Sequence, residues 1–430
     1  MKKNLQDYLG AVKVFSAIKE EPTWMLELRE KALEKIEALP FPTIERVKYE
    51  RWPLFNISEA ALNGETAEID AVPAFDEMNN NPMVVQQDDV TIFEQLPISL
   101  SMQGVIFTDL FTAMLNHPEL VQEYFMTKAV PMDEDKMTAA HVAFLNSGLF
   151  LYVPKNVISD KPFEAIFRHN QALGHHFYKH VLIVAEENSE FSYLERFISE
   201  GETTEKLAGN IVVEVIAKPG ARVKYSAIDQ LGANISTYIN RRGHLMRDAS
   251  IEWAIGVMND GNIVADFDSD LVGEGSNAQV KVVAISGGRQ IQGIDTRVTN
   301  MAPHSVGHIL QHGVIRERGT LTFNGIGHIL KGAKGADAQQ ESRILMLSDH
   351  ARGDANPVLL IDENEVTAGH AASSGRVDPD EMYYLMSRGL RKADAERLVI
   401  RGFLGSVITA IPVKSVREEL VEVIEGKLNA

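Results

Sequence analysis

The sequence has no cysteine among its 430 residues. Without a thiol, the chain cannot form a disulfide, supply a cysteine nucleophile, bind zinc through cysteine or hold a four-cysteine iron-sulfur cluster by itself. Histidine, aspartate and glutamate are therefore the side chains left to bind any metal ion.

Basic residues are scarce relative to acidic ones, with 42 Lys and Arg against 60 Asp and Glu and a net charge of −18. This charge repels phosphate backbones and anionic lipid, and no basic block opposes it, so we expect binding to neither nucleic acid nor membrane. No apolar run approaches the roughly 20 residues of a membrane helix. Near the N-terminus, Gln6, Asp7 and Lys13 interrupt any signal-peptide pattern, which predicts a cytoplasmic protein.

The length indicates two to four globular domains, at about 150 residues for each. We assign residues 1–135 to an N-terminal helical region with a linker. Its clearest helix runs from Trp24 to Leu39, where apolar residues recur at steps of three and four. The acidic and polar stretch from Asn63 to Asp89 indicates a mobile connection or a long surface loop.

Residues 136–374 have the alternating pattern that is typical of β-strands. Apolar and polar residues alternate from Ala221 to Ala227 and from Ile251 to Val257, and turn residues separate such segments. No convincing helix of ten residues interrupts the strands of this region, which counts against a sheet built from βαβ units.

A short repeat suggests how these strands are stacked. Gly-His-Ile-Leu occurs at 307–310 and at 327–330, and Gly-His pairs also occur at 243 and at 369. The spacings lie close to multiples of about 21 residues, within the range of stacked solenoid coils. We therefore predict that this region is a β-helix in which each coil has the length of that repeat.

Residues 375–430 return to helical patterning. Asp378 can cap a helix whose first residue is Pro379, and Gly389 can end that helix. Another helix is predicted from about Lys392 to Ile411, and a third follows it. The predicted fold is therefore mainly β, with a parallel β-helix core between helical N-terminal and C-terminal regions.

Three aspartates alternate along one predicted strand. Asp266, Asp268 and Asp270 resemble the start of a calcium loop, but Leu271 and Asn277 occupy the positions where an EF-hand needs glycine and glutamate. The pattern favours a solvated strand face. The alternative is that these acids line a substrate groove on the solenoid.

Histidines offer the other candidate metal ligands. His176 and His180 would lie about 13 Å apart on a strand, too far to share one small ion, so structural or surface roles are favoured for them and for His175. His370 lies among small residues, from Val366 to Gly375, which leaves its imidazole accessible as a ligand. A packed histidine of the terminal coil is the competing interpretation.

Five segments of the β region and the C-terminal helices carry a resemblance to a known family. They are Lys331-Gly-Ala-Lys-Gly-Ala-Asp-Ala-Gln-Gln-Glu-Ser-Arg-Ile-Leu-Met-Leu-Ser348, Gly369-His-Ala371, Leu385-Met-Ser-Arg-Gly-Leu390, Asp295-Thr-Arg-Val298 and Asn146-Ser-Gly-Leu-Phe-Leu-Tyr-Val-Pro154. In order and content they are similar to the SufB/SufD family of iron-sulfur cluster assembly proteins. The length, the missing cysteines and the segment from Pro22 to Arg29 favour the SufD branch.

The resemblance implies a right-handed parallel β-helix and a scaffold subunit that is not an enzyme. Chains of this branch pair with a SufB-like subunit through their β-helices and dock a SufC-like ABC ATPase through their C-terminal helices. The candidate docking residues here are Met382, Leu385, Met386 and Leu390.

By the same resemblance, His370 matches the histidine of the family motif Ser-His-Gly-Ala, which is implicated in building the nascent cluster. His370 is therefore the candidate cluster-assembly residue and metal ligand. Gly369 stands in place of the serine and Ala371 in place of the glycine. We expect no cofactor to be stably bound by this chain alone and a nascent iron-sulfur cluster at the interface with the SufB-like subunit.

Two other functions stay open from the sequence. One is a β-helix enzyme that acts on polysaccharide with Asp266, Asp268 and Asp270 as its acidic site, although no clear general base and no secretion signal accompany them. The other is a purely structural homodimer.

Overall fold

The computed structural model describes residues 8–55, 62, 81–411 and 413–429. Its helices are α1 (Leu9–Ile18), α2 (Thr23–Ile36), α3 (Ile98–Ser101), α4 (Leu110–Asn116), α5 (Pro118–Tyr124), α6 (Lys136–Phe144), α7 (Pro379–Ser387), α8 (Lys392–Thr409) and α9 (Lys414–Asn429). The first strands are β1 (Met83–Gln87), β2 (Val90–Gln95), β3 (Ile106–Asp109), β4 (Ser147–Val153), β5 (Phe163–Asn170), β6 (Phe177–Ala185), β7 (Glu190–Glu200), β8 (Leu207–Ala217) and β9 (Arg222–Gln230). The remaining strands are β10 (Ile235–Leu245), β11 (Ser250–Val257), β12 (Ile263–Leu271), β13 (Asn277–Ser286), β14 (Ile291–Asn300), β15 (Val306–Ile315), β16 (Thr320–Ile329), β17 (Asp337–Met346), β18 (Arg352–Ile361) and β19 (Thr367–Arg376).

The strands form two long sheets that face each other. Sheet A has the order β19-β17-β15-β13-β11-β9-β7-β5-β1-β2, and sheet B has the order β18-β16-β14-β12-β10-β8-β6-β4-β3. From β4 onward, consecutive strands alternate between the sheets and pair in parallel with the strand two positions away. Each coil therefore contributes one strand to each sheet. This confirms the predicted fold class, a β-solenoid core with helices at both ends.

The coil repeat is longer than the spacing of the Gly-His pairs predicted. Ser250 pairs with Asn277 in the next coil, and Val306 likewise pairs with Asp337, so a full coil exceeds the predicted length in both places. The two Gly-His-Ile-Leu copies lie on β15 and β16, which belong to different sheets. The prediction was wrong because the repeat marks neighbouring strands of one coil, whereas a full coil contains two strands and two turns.

The N-terminal helices pack on the outer face of sheet B. Phe144 of α6 and Phe111 of α4 share an apolar cluster with Tyr178 and Leu182 of β6. Asp135 caps the N-terminus of α6, because its carboxylate accepts hydrogen bonds from the backbone N–H groups of Met137 and Thr138. The helix predicted from Trp24 is present as α2.

The predicted loop from Asn63 to Asp89 falls mostly outside the described residues. Its last part is wrong as a loop, because Met83–Gln87 forms β1 and pairs with β5 in parallel. Val84 and Val85 are buried, and this burial is what draws the segment into sheet A.

Residues 41–55, which we call the strap segment, also cross the outer face of sheet B. Ile44, Val47 and Tyr49 are buried with Tyr238 of β10 and Val264 of β12. Gly293 of β14 leaves room for this contact, since a Cβ there would lie 2.7 Å from a methyl carbon of Val47.

The C-terminal helices α8 and α9 pack on the outer face of sheet A. Leu404 and Leu420 are buried against residues of sheet A that include Ala254 and Val283. Arg196 of β7 fixes α9 with a bidentate contact, because Nε and Nη2 donate to the two carboxylate oxygens of Glu419 at 2.5 and 2.6 Å.

The predicted ends of the first C-terminal helix are confirmed. The Asp378 side chain accepts from the Asp380 N–H at 2.8 Å, and Gly389 has a φ of +95° after the helix. Among the described helices, none has both the length and the apolar composition that crossing a bilayer would require.

Candidate cluster-assembly site and docking surface

The last coil of the solenoid, formed by β18 and β19, is open at one side. Each of these strands ends its sheet and has one paired neighbour among the described residues. Most side chains of β19 are exposed, and those of β18 are exposed or half-buried. Unpaired N–H and C=O groups along such an edge are a template for another strand.

His370 lies in the middle of β19. Its register partner is Gln340 of β17, so the two side chains lie on the same side of sheet A, about 4.8 Å apart along the sheet. Gln340 is buried and faces the solenoid interior, whereas His370 is exposed because no further coil covers it. The imidazole therefore lies at the open mouth of the solenoid.

The interior becomes polar below this histidine. The row of inward-facing side chains that ends at His370 begins with aromatic residues and passes through two aliphatic ones before Gln340. In order, its members are Phe163, Tyr193, Tyr225, Trp253, Val280, Ile309, Gln340 and His370. A solenoid interior of this kind needs no polar end for packing, so the amide and the imidazole are candidates for function.

Several polar atoms near this end have no hydrogen-bond partner among the described residues. The Oε1 atom of Gln340, the Oγ atom of Ser342 and both amide atoms of Gln311 are buried without a hydrogen bond. The Nε2 atom of Gln340 donates to the Val358 carbonyl oxygen at 2.8 Å, which fixes its amide beneath His370. Sequence reasoning missed Gln340, because its segment was interpreted only through the family motif. The one signal was the pair Gln339-Gln340, of which only Gln340 is buried and faces inward.

Apolar side chains are exposed on β18. Val358, Leu360 and Ile361 are 37%, 43% and 43% exposed. Pro357, which has no N–H group to donate, lies in the same strand and is tolerated there because β18 is an edge strand. The last coil therefore presents apolar surface as well as free backbone groups.

The predicted docking residues lie on or next to α7. Met386 is 44% exposed, while Met382, Leu385 and Leu390 are half-buried. Tyr383 and Tyr384 are more exposed than any of these, at 74% and 57%, and the sequence reasoning did not single them out. A groove of about 340 Å³ runs beside the helix, and its lining includes Met346, Leu347, Met382, Tyr383 and Met386.

Asp266, Asp268 and Asp270 are half-buried, so the prediction of a solvated strand face is wrong. The strap segment and a neighbouring arginine cover this face. Asp268 is 14% exposed and accepts from Nη2 of Arg242 at 3.1 Å. Burial raises the pKa of Asp270 to about 6. The acids therefore form part of the packing between the strap segment, the loop before α6 and sheet B.

His180 is a buried histidine that links α6 to sheet B. Its Nδ1 lies 3.1 Å from Nε2 of His141, and Nδ1 of His141 lies 2.9 Å from Oδ1 of Asn210. Burial lowers the pKa of His180 to about 3, so the ring is neutral. Within the part of the chain that the structure describes, no group of three or more His, Asp or Glu side chains is arranged to hold a metal ion.

Family comparisons agree with the motifs around His370. The model described as "SUF system FeS cluster assembly, SufBD core domain" matches residues 167–403. The model described as "SufBD protein N-terminal region" matches residues 12–164. Together these matches cover most of the chain, including the last coil and α7.

Individual relatives extend over nearly the whole chain. The iron-sulfur cluster assembly protein SufD of Bacillus subtilis is 44% identical over 98% of this chain and 98% of its own length. An iron-sulfur cluster assembly SufBD family protein of Staphylococcus saprophyticus is 26% identical over 94% of this chain and 89% of its own length. The chain is thus a homologue of SufD with a function in iron-sulfur cluster assembly, and it belongs to the SufBD family.

Proposed function

We propose that this chain is a scaffold subunit that pairs with a SufB-like subunit through its last coil. In the same proposal it docks a SufC-like ABC ATPase through α7 and contributes His370 to a nascent cluster at the subunit interface. No chemical step is assigned to the chain alone. The polysaccharide-acting alternative is not retained, because the family assignment concerns iron-sulfur cluster assembly and its three acids are packing groups.

The open last coil is the observation that carries the proposal. At the other end of the solenoid, sheets A and B finish in antiparallel partners, β2 and β3, and the N-terminal helices lie beside them. At the last coil, β18 and β19 have free edges, and β18 also has exposed apolar side chains. Exposed flat edges favour association, so a strand-bearing partner would satisfy both features.

His370 suits a role at such an interface because it is the one accessible imidazole of β19. A single neutral imidazole is one ligand, and the chain has no thiolate to add. The remaining ligands of a nascent cluster would have to come from the partner. Gln340 would provide a polar group beneath the ring, because its Oε1 has no hydrogen-bond donor among the described residues and can accept one.

Docking of the ATPase through α7 is supported by its exposed surface. The two tyrosines and Met386 lie together with the adjoining groove on one side of the C-terminal region. Aromatic and methionine side chains are enriched at protein interfaces because they bury much area with little loss of side-chain entropy. Helices α8 and α9, which are packed on sheet A, would give this surface a rigid base.

Pairing through the last coil can be tested by co-purification with a SufB-like subunit. Leu360→Asp places a charge on exposed β18, and we expect the SufB-like subunit to be lost from the purified complex. Ile158→Asp is the matched control, since Ile158 is 62% exposed near the opposite end of the solenoid. Retention of the partner by both variants, or its loss from both, would move the interface away from β18.

The role of His370 can be tested after anaerobic reconstitution of the complex with iron and sulfide. His370→Ala should lower cluster yield while the subunits still co-purify. His350→Ala, which removes another exposed histidine, is the control. Gln340→Leu should lower the yield as well if the amide supports the site. Unchanged yield with His370→Ala would remove its assigned role.

The docking surface can be tested by placing charges on α7. Met386→Asp and Tyr383→Asp should each abolish retention of the SufC-like ATPase without unfolding the solenoid. Val14→Asp on α1 is the control, because Val14 is 53% exposed and belongs to the N-terminal region, far in sequence from α7. Wild-type retention by both α7 variants would contradict docking through this helix.

A further inference from the structure

A second recess lies where three distant parts of the chain meet. A groove of about 1180 Å³ is bounded by Arg51 and Trp52 of the strap segment, by turns that lead from sheet A to sheet B, and by α9. None of its lining residues belongs to β18, β19 or α7. The groove is therefore separate from the surfaces of the proposed function.

Four cationic side chains line this groove without an acidic partner. Arg51, Lys206, Arg289 and Arg316 have no carboxylate within ion-pair distance among the described residues. Lys206 donates to the Asn234 side chain and Arg316 to a backbone carbonyl oxygen of α9, both neutral acceptors. The side chains of Arg51 and Arg289 are exposed and make no hydrogen bond with any described residue. Their guanidinium groups are thus free to bind a ligand.

The acids of the groove do not balance these cations. Asp260 is already paired with Lys427, whose Nζ lies 2.9 Å from Oδ1. Glu317 accepts from the Gly288 N–H, and Glu422 adds one further carboxylate. Four unpaired cations against two carboxylates leave a local positive excess, in a chain whose net charge is −18. A cleft lined by one sign of charge concentrates ligands of the opposite sign.

The residue types identify phosphate as the best-matched group. A guanidinium donates through a planar fork that fits two oxygens of one phosphate, which an ammonium cannot do. The Trp52 side chain adds an aromatic surface to the same groove, and such a surface can stack a flat ring. The groove is also large enough for a nucleotide-sized ligand.

We propose that this groove binds a small phosphorylated anion, with Arg51 and Arg289 as its phosphate ligands. The phosphate could belong to an inorganic polyphosphate or to a nucleotide. Trp52 separates these sources, because only a nucleotide has a ring to stack on the indole. A bound anion would also join the strap segment to the solenoid turns, so it should raise the melting temperature of the chain.

The test is calorimetric titration of the full chain with inorganic triphosphate and, separately, with ADP. Arg51→Glu and Arg289→Glu should each weaken binding by about tenfold or more, because each removes a charge-assisted contact and adds repulsion. Arg247→Glu is the matched control, since Arg247 is 69% exposed in a turn at the opposite edge of the solenoid. It should change affinity by less than about twofold.

Trp52→Leu decides between the two sources. Weaker ADP binding with unchanged triphosphate binding would assign a nucleotide, whereas equal affinities before and after the change would assign inorganic phosphate. Both exposed arginine variants should keep the wild-type circular dichroism, which separates lost binding from lost folding. Absence of saturable binding by wild-type protein at millimolar ligand, or an equal loss in Arg247→Glu, would overturn the proposal. Binding only of an acidic protein segment would overturn it too.

Discussion

Replacing Arg241 by methionine should destabilise the middle of the solenoid. Arg241 of β10 has no exposed surface and points between the sheets, where it reaches two carboxylates of sheet A. Its Nη1 and Nη2 donate to the two oxygens of Asp229 at 2.9 and 2.7 Å. Its Nη2 also donates to Glu195 at 2.9 Å, and the Tyr225 hydroxyl donates to the same carboxylate oxygen. One guanidinium therefore holds two buried acids.

The expected loss is about 3–5 kcal/mol of unfolding free energy, the cost of removing one partner from a buried ion pair. Methionine fills similar volume, so the loss reflects the acids left without their cation rather than a cavity. We expect a value toward the lower end of this range. Burial already raises the pKa of Glu195, against the opposing effect of Arg241, so this acid can take up a proton once the arginine is gone.

Urea unfolding followed by circular dichroism measures this loss. Asp229→Asn in the Arg241→Met background provides the decisive comparison, because it removes the stranded charge. The double variant should be more stable than the sum of the two single changes predicts, by about 1–3 kcal/mol. A cost below about 1 kcal/mol for Arg241→Met, or additive single effects, would refute the argument that the guanidinium neutralises these acids.

Three further changes test other parts of the fold. Arg29→Met should lower the free energy of unfolding, measured with urea, by about 3–5 kcal/mol. Arg29 is buried, pairs with Glu21 and donates to three carbonyl oxygens at the end of α6. Unchanged stability would contradict this expectation. Burial raises the pKa of Glu214 from 4.5 to about 7, so the folded chain keeps a proton that the unfolded chain releases, and stability should fall as pH rises from 4.5 to 7. Glu214→Gln should remove about 3 kcal/mol of that fall, measured as the change in unfolding free energy across this range, and an unaltered pH profile would exclude Glu214 as its source. His312→Ala should speed amide hydrogen exchange in α8, because Nδ1 of His312 lies 3.0 Å from the Phe403 carbonyl oxygen and the centroids of the two rings are 4.9 Å apart. Unchanged exchange would mean that apolar packing alone holds the helix.

Local patterns in the sequence predicted much of the fold because their causes are local. The alternation from Ile251 to Val257 gives a strand wherever one face is buried, and β11 covers this segment. The cap at Asp378 depends only on the next few residues, and it is present at α7. The coil repeat could not be read from the Gly-His pairs, because their spacing does not reveal which sheet a strand joins.

The buried polar groups were beyond sequence reasoning for a different reason. The contact of Arg241 with Asp229 and Glu195 joins two sheets, and it exists only once the register of the strands is known. Gln340 likewise becomes a candidate site residue only when its register with His370 is known. The half-buried state of Asp268 follows from the covering strap segment and Arg242, which lie far away in sequence. None of these three features can be inferred before the three-dimensional arrangement of the strands and the strap segment is known.

The absence of cysteine limits what can usefully pair with the last coil. A homodimer formed through β18 and β19 would bring two copies of His370 to the interface and no thiolate. Iron-sulfur clusters are held mainly by thiolates, and imidazole replaces only some of them. The proposed role therefore needs a partner that carries cysteine near its own last coil. A partner with the same fold meets the geometric requirement, because its edge strands repeat the same spacing of hydrogen-bonding groups. Under the proposed function, a homodimer through this edge would be a competitor of the functional pair rather than a substitute for it.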